Sequence, residues 1–480
     1  MTDNRTPAIA GAGQDIQRPG DWSVPAEADG PIELMVRAAR TAAADAGTPA
    51  LLERLDWVGV VGGFWRYSNP GELVARELGS PGARTALTLI SGSAPQELVG
   101  LAAERIARGE IDVALVLGGE TAWSQRRLKK LGEKPAWISD PGAGEPEVVG
   151  GFPDEMIAEA RLLGAAAASY SLFEDSLRAS LGRTVAEQRS EINALWSRFS
   201  DVATDNPFAW DRKPHSAVEI GDPTPDNRMI AFPYTKSLVA NNTVDQASAV
   251  LLCSVEAARS IGLDVDRLVF PHVSASSHET WQIVQRDVLH ETPGLAAAGR
   301  AAYAAAGIGP DDVEHLDLYA CFPAIVQMST AALGIDPTRQ LTITGGLGFA
   351  GAPVANSSGQ ALAAMIPRLR EGGHGLIHAN GGNATKHAVG IYSSRPPTSA
   401  FRRIDAQDSA DLRPRASADS TNPVGHVEAA TVIYDREGPS HLVAAVRTAD
   451  DSRALVRSED PDLMARAHET GITGLPTPLP

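Results

Sequence analysis

Two stretches of this chain repeat one order of elements, and that order limits the fold more than any single motif does. In the first, the helix-patterned Met35 to Gly47 (MVRAARTAAADAG) leads through an acidic loop into the apolar run Leu55 to Gly63. Ser91-Gly-Ser93 then opens the amphipathic stretch Pro95 to Gly109, which precedes the strand Val113 to Leu117. In the second, Gly294 to Gly307 (GLAAAGRAAYAAAG) leads through an acidic loop into His315 to Ala320. There Ser357-Ser-Gly359 opens a helix-patterned stretch before Leu376 to Asn380. Short apolar runs alternating with longer segments of helical period describe strand-helix-strand units. The chain therefore reads as a duplicated α/β fold, with Pro7 to Gly13 and Arg267 to Ser274 as the opening strands of its two units. The likeness is partly compositional, since Ala-rich helices resemble one another, so the shared order carries the argument.

Reactive side chains collect where strands end. Asp317-Leu-Tyr-Ala-Cys-Phe-Pro323 closes an apolar strand with a phenol and a thiol and is broken at once by proline, which delivers Tyr319 and Cys321 to the carboxyl edge of a sheet, where open α/β folds hold ligands. The alternative is a buried Tyr and Cys in a core strand. A strand, a tight turn carrying the Ser91 hydroxyl and a helix start place a nucleophile beside helix N-terminal amides, and the alternative for Ser91 is a helix N-cap. His378, Asn380 and Gly381 lie at another strand edge, followed by Lys386 and His387. His378 reads either as a proton carrier, since histidine titrates near neutral pH, or as a structural histidine. Lys386 and His387 read as site residues or as plain surface charges, and Cys253 as core. Gly345, Gly346, Gly348 and Gly351 mark tight turns. They make no phosphate loop, because the lysine of that motif is absent.

Between the units, residues 123–240 turn rich in Trp, Tyr, Arg, Asp and Pro, with one clear amphipathic helix at Glu187 to Val202. An insertion this long is a subdomain over a crevice, where substrate specificity is expected. The boundaries follow as 1–122 (first half), 123–240 (insertion), 241–263 (completion of the first half), 264–397 (second half), 398–422 (linker) and 423–480 (a further β module with a terminal helix at Asp460 to Thr470). A net charge of -17 argues against a nucleic-acid or anionic-membrane surface. Two cysteines, Cys253 and Cys321, give neither a disulfide framework nor a Cys-rich metal motif, which suits a reducing cytoplasm. No export or membrane-anchoring signal is read.

Taken together, the duplicated halves with a long insertion, Ser91-Gly-Ser93, Tyr319-Ala-Cys-Phe322, Gly345-Gly-Leu-Gly-Phe-Ala-Gly-Ala-Pro353 and Asn380-Gly-Gly382 resemble the thiolase superfamily, and within it thiolase-like proteins related to sterol-carrier-protein thiolases. The resemblance covers residues 7–396 and implies a layered α-β-α-β-α fold. The module at 423–480 is similar to the extra C-terminal domain of mycobacterial type 1 thiolase-like proteins, which implies a small barrel of oligonucleotide-binding type. Further implications are acyl-CoA or CoA as substrate or ligand, no permanently bound cofactor, no metal, and a homodimer or monomer.

The resemblance also exposes departures. Ser91 stands at the nucleophilic Cys position, Ala352 at the His of Gly-His-Pro, and Ala379 at the second Cys. A serine hydroxyl needs an adjacent base, so ordinary thiolysis is not expected to survive unchanged. The implied activity is acetyl-CoA acetyltransferase-like, on the carbon-carbon bond next to a CoA thioester. Tyr319 resembles the tyrosine of steroid side-chain aldolases, which implies as an alternative a retro-aldol cleavage of a bulky β-hydroxyacyl-CoA with Tyr319 as acid or base. A non-catalytic CoA binder is the third reading. The implied site comprises Tyr319, Cys321, His378 and Ser91, with Asn380, Gly381, Gly351, Ser357 and His387 binding substrate or holding an oxyanion.

Overall fold

The computed structural model describes residues 3–142 and 144–479. Its first sheet has six strands in the order Pro7–Ile16, Asp245–Ser254, Val113–Thr121, Trp57–Val60, Arg84–Thr88, Glu147–Val149. Its second has five, in the order His315–Leu318, His374–Gly381, Lys386–Ser393, Phe270–His278, Arg402–Asp405. In each sheet the opening strand of the unit pairs antiparallel with the last, the last pairs antiparallel with the strand before it, and that strand pairs parallel with the strand after the Ala-rich helix. The duplication read from element order is thus a duplication of strand topology.

The two sheets face each other across a central layer made by the helices Ala94–Ala107 and Ser357–Glu371. Leu98, Ala102 and Ile106 of one helix and Leu362, Met365 and Ile366 of the other share one buried cluster with Val116, Val250 and Ile377 from both sheets. The Ala-rich helices Pro31–Ala46 and Pro293–Ala306 cover the two outer faces. Their alanines have a structural reason on the first sheet, where a Cβ on Gly11 or Gly13 would approach the backbone of Ala42 or Ala38 to 2.1 and 2.2 Å. Helix and sheet are in backbone contact there. The five alternating layers agree with the expected arrangement.

Two segments behave differently from the reading of the sequence. Part of the stretch taken as a linker, Arg402–Asp405, is a parallel edge strand of the second sheet. The C-terminal strands Gly425–Tyr434, Pro439–Thr448 and Arg453–Ser458 form, with helix Pro461–Glu469, an open sheet and not the expected oligonucleotide-binding barrel. Among the described residues nothing closes it. Two short strands of the insertion, Met229–Ala231 and Tyr234–Thr235, extend its far side, and one register pair, Ile433 with Ala231, joins them. Strands that short cannot carry the stagger needed to wrap a barrel. Arg453, fully buried, fastens this sheet to the body by donating to Glu428 and to the carbonyls of Val284 and Asp287.

Candidate active site

The buried turn Ser91-Gly92-Ser93 is where the expected site residues gather. Gly92 needs to be glycine, since a Cβ would lie 2.2 Å from the Asn380 carbonyl oxygen and 2.3 Å from the Tyr319 hydroxyl. A Cβ at Gly381 would meet Ser91 Oγ at 2.1 Å. Ser358, in the first turn of the helix Ser357–Glu371, donates to the Gly92 carbonyl at 2.6 Å. Ser91, Tyr319, Asn380, Gly381 and Ser358 therefore meet around Gly92, from both halves of the duplication, with Ser357 beside Tyr319.

Ser91 is not the helix cap that its position allowed. The cap residue of Ala94–Ala107 is Ser93, and it makes no side-chain capping bond. Instead the Ser91 and Ser93 hydroxyls are 2.8 Å apart, Ser93 Oγ donates to Glu97 Oε1 at 2.7 Å, and Lys386 Nζ stands 3.1 Å from the same carboxylate oxygen. This chain of groups puts a carboxylate within reach of Ser91 through one intervening hydroxyl. Ser93 and Glu97 lie one helical turn apart, so their meeting follows from helix geometry once the turn is placed.

Tyr319 and Cys321 stand at the strand end as expected, 9% and 8% exposed. Burial pushes the Tyr319 phenol far above its ordinary range, and the neighbouring Cys321 adds to this against a smaller opposing pull from Ser357. Tyr319 as a resting base is thereby corrected: it is held as a neutral phenol, able to donate. Burial likewise pushes the Cys321 thiol up to about 12, so it is no ready thiolate. Asp317, fully buried, accepts bonds from Thr342 Oγ1, Ile343 N and both Thr344 N and Oγ1 at 2.9 to 3.1 Å, and so anchors the segment leading into Gly345 and Gly346.

Two expected members belong elsewhere. Strand alternation puts Gly381 toward Ser91 but His378 on the opposite face of the sheet, 3.2 Å from Ser329 Oγ and 3.2 Å from His387 Nδ1. Burial first, and His387 second, hold His378 far below the usual histidine range, so it stays neutral instead of titrating near pH 7. His387 is buried beside Glu279, not on the surface. Lys386, next to it in sequence, points the other way, to Glu97. Gly351, with φ +104°, borders Gln246, whose carboxamide oxygen would lie 2.3 Å from a Cβ there.

One contributor left no signal in the sequence. Tyr170 of the insertion donates to Asn380 Oδ1 at 2.8 Å and stacks on Phe322 with ring centroids 4.4 Å apart. It fixes the Asn380 side chain and roofs Cys321. Nothing in the run Ala-Ala-Ala-Ser-Tyr-Ser sets that tyrosine apart from a core residue.

Comparison with known proteins fits this geometry. A family model described as thiolase C-terminal domain-like matches residues 275–340. Benzoylsuccinyl-CoA thiolase subunit BbsB of Thauera aromatica is 25% identical over 188 residues, 35% of this chain, and the match spans 46% of that relative. The Ltp2-ChsH2(DUF35) aldolase superposes with a TM-score of 0.61 at 18% identity, over 81% of this chain and 98% of that one, a likeness of fold alone. A monomeric SCP2-thiolase like protein type 1 from Mycobacterium smegmatis superposes with a TM-score of 0.82 at 31% identity, over 99% of this chain and 96% of that one. With both halves, the insertion and the C-terminal sheet matched in a single relative, the chain belongs to the SCP2-thiolase-like proteins of type 1, within the thiolase superfamily.

Proposed function

We propose that the protein is a carbon-carbon lyase that cleaves a β-hydroxyacyl-CoA by retro-aldol reaction. The observation that supports this best is the Ser91–Ser93–Glu97 chain of groups beside a neutral Tyr319. The β-hydroxyl proton passes to Ser91 as Ser91 hands its own to Ser93 and Ser93 to Glu97. The Cα–Cβ bond breaks, leaving a carbonyl product and a thioester enolate, and the Tyr319 hydroxyl protonates the enolate carbon. No acyl-enzyme is required, which agrees with alanine at positions 352 and 379.

Acyl transfer through Ser91 is the second reading, favoured by the same relay, because a serine with a base in reach can be a nucleophile. Coenzyme A enters either reaction as part of the substrate, and no resident cofactor is assigned. We read the chain as a monomer, in keeping with the description of its Mycobacterium smegmatis relative, with a homodimer as the alternative.

The test is incubation of the pure protein with 3-hydroxyacyl-CoA, in parallel with 3-ketoacyl-CoA plus CoA. Release of acetyl-CoA or a homologue with an equimolar aldehyde or ketone from the hydroxy substrate is expected. Thiolysis without aldol cleavage, abolished by Ser91→Ala, would replace the first reading by the second. Binding without turnover would leave a CoA-thioester binder.

A further inference from the structure

The reacting groups of this site are shut away from solvent, with Ser91 7% exposed and Asn380 2%. So little exposure leaves no room for a thioester to settle beside Ser91 until part of its cover moves. A strap of the insertion, Gly150-Gly-Phe-Pro153 running into the helix Asp154–Leu163, lies across the neighbours of Ser91 on two sides. A Cβ on Gly150 would stand 3.6 Å from Glu97 Oε2 and 3.7 Å from Lys386 Nζ, at the far end of the hydroxyl chain. A Cβ on Gly382 would stand 2.3 Å from Met156 Cε and 3.2 Å from Phe152 Cε1, beside Asn380 and Gly381. Lys386 Nζ lies over the Phe152 ring, 5.5 Å from its centre.

The strap is lightly held. Its helix turns Asp154, Glu155, Ile157, Ala158 and Arg161 to solvent and buries Met156, Glu159 and Leu163. Among the described residues, the only hydrogen bonds between residues 150–164 and the rest of the chain are two that Glu159 accepts, from Ile283 N at 2.5 Å and Val284 N at 3.1 Å. A segment with few buried contacts and almost no hydrogen bonds to its surroundings opens locally at low cost. Each end carries a glycine in the left-handed region, Gly150 with φ +79° and Gly164 with φ +80°. A Cβ on Gly164 would meet nothing within 4 Å, so that end has space to turn.

We infer that residues 150–164 are a lid that swings about Gly150 and Gly164, is latched by Glu159 on the amides of Ile283 and Val284, and admits the substrate to Ser91 when it lifts. Opening draws Phe152 away from Lys386 and Met156 away from Gly382, which uncovers the hydroxyl chain from both sides. Closing restores these contacts behind the substrate and keeps water from the reacting groups. That the visitor is a CoA thioester rests on the proposed carbon-carbon chemistry; the movement of the lid does not.

Two measurements on the full chain separate these. Met156→Cys places a thiol under the lid, and it should react with Ellman's reagent about a hundredfold faster than the core thiol Cys253, and about tenfold faster again when Glu159→Ala is added. A thiol at 156 that stays as silent as Cys253, or that Glu159→Ala does not speed, overturns the lid. In rapid mixing of the protein with butyryl-CoA, the observed binding rate should level off as concentration rises, because opening then limits it, and Glu159→Ala should lift that plateau about tenfold. A rate that climbs without a plateau, or a plateau that Glu159→Ala leaves in place, overturns the lid as the way in. Failure of butyryl-CoA to bind overturns the CoA-thioester reading, and the thiol at 156 then still decides the lid. Should Glu159→Ala fail to fold, Glu159→Gln, which keeps one acceptor, should move both rates in the same direction by a smaller factor.

Discussion

Lys386 Nζ stands 3.1 Å from Glu97 Oε1, so the last strand pair of the second half holds the carboxylate that ends the hydroxyl chain from Ser91 in the first. The two halves of the duplication thus share one chain of hydrogen-bonding groups, the proton path of the proposed reaction. Glu97→Gln is expected to lower kcat about a hundredfold or more, the usual loss when a positioned acid or base is removed. Ser93→Ala should match it, since both interrupt the same path. Lys386→Met keeps the carboxylate and should cost less. Steady-state kinetics with thermal melting as a folding control distinguishes this from a packing loss.

Tyr319 carries the second expectation. Tyr319→Phe removes a hydroxyl that lies against Gly92 and leaves the ring in place. We expect kcat to fall by about 10²-fold and the dissociation constant for an unreactive thioester to change little. A variant that keeps full turnover would remove Tyr319 from the chemistry.

Glu120 gives a pH signature of stability. It is buried, with Phe64 N bonded to Oε1 at 2.5 Å and Oε2 unpartnered, and burial chiefly pushes its pKa from the ordinary 4.5 up to about 7. The folded protein therefore holds this proton more tightly than the unfolded chain. Its contribution is full below about pH 4.5 and is lost as pH rises to 7, by about 3 kcal/mol in all. Glu120→Gln should escape that loss, so its melting temperature should gain on the unaltered protein between pH 5 and pH 8.

The thiols should be silent in the native state. Burial pushes both Cys253 and Cys321 up to about 12. Against an ordinary thiol near 8.5, that leaves roughly three thousandfold less thiolate at neutral pH. Ellman titration should find no fast-reacting group in the native protein and two in urea. A rapid native thiol would reopen a nucleophilic role for Cys321.

Much of the fold was legible because it rests on local periodicity. The Ala-rich helices, the turn at Ser91 and the strand ending at Tyr319 each show in a window of a dozen residues. Strand parity decides the site, and placing His378 and Gly381 together overlooked it. Residues 378 and 381 differ by an odd number, so His378 cannot face Ser91 when Gly381 does. The rest depends on distant pairing. Tyr170 reaches Asn380 across 210 positions, and no pattern near either residue announces it. The strands after residue 423 read as a self-contained module because they pair mainly with one another, and the joint to the insertion, Ile433 with Ala231, leaves no local pattern.

That shared sheet imposes an order on assembly. Thr431 Oγ1 donates to the Phe232 carbonyl 199 positions earlier, and the insertion that carries Phe232 also carries Tyr170, the roof of the crevice. At ordinary synthesis rates of about 5 to 20 residues per second, Met229–Ala231 emerges some 10 to 40 seconds before the strand it must join. The middle of this chain waits for its end. A chain stalled between residues 406 and 424 would hold the strands of both halves and an insertion whose sheet still lacks its partner strand Gly425–Tyr434.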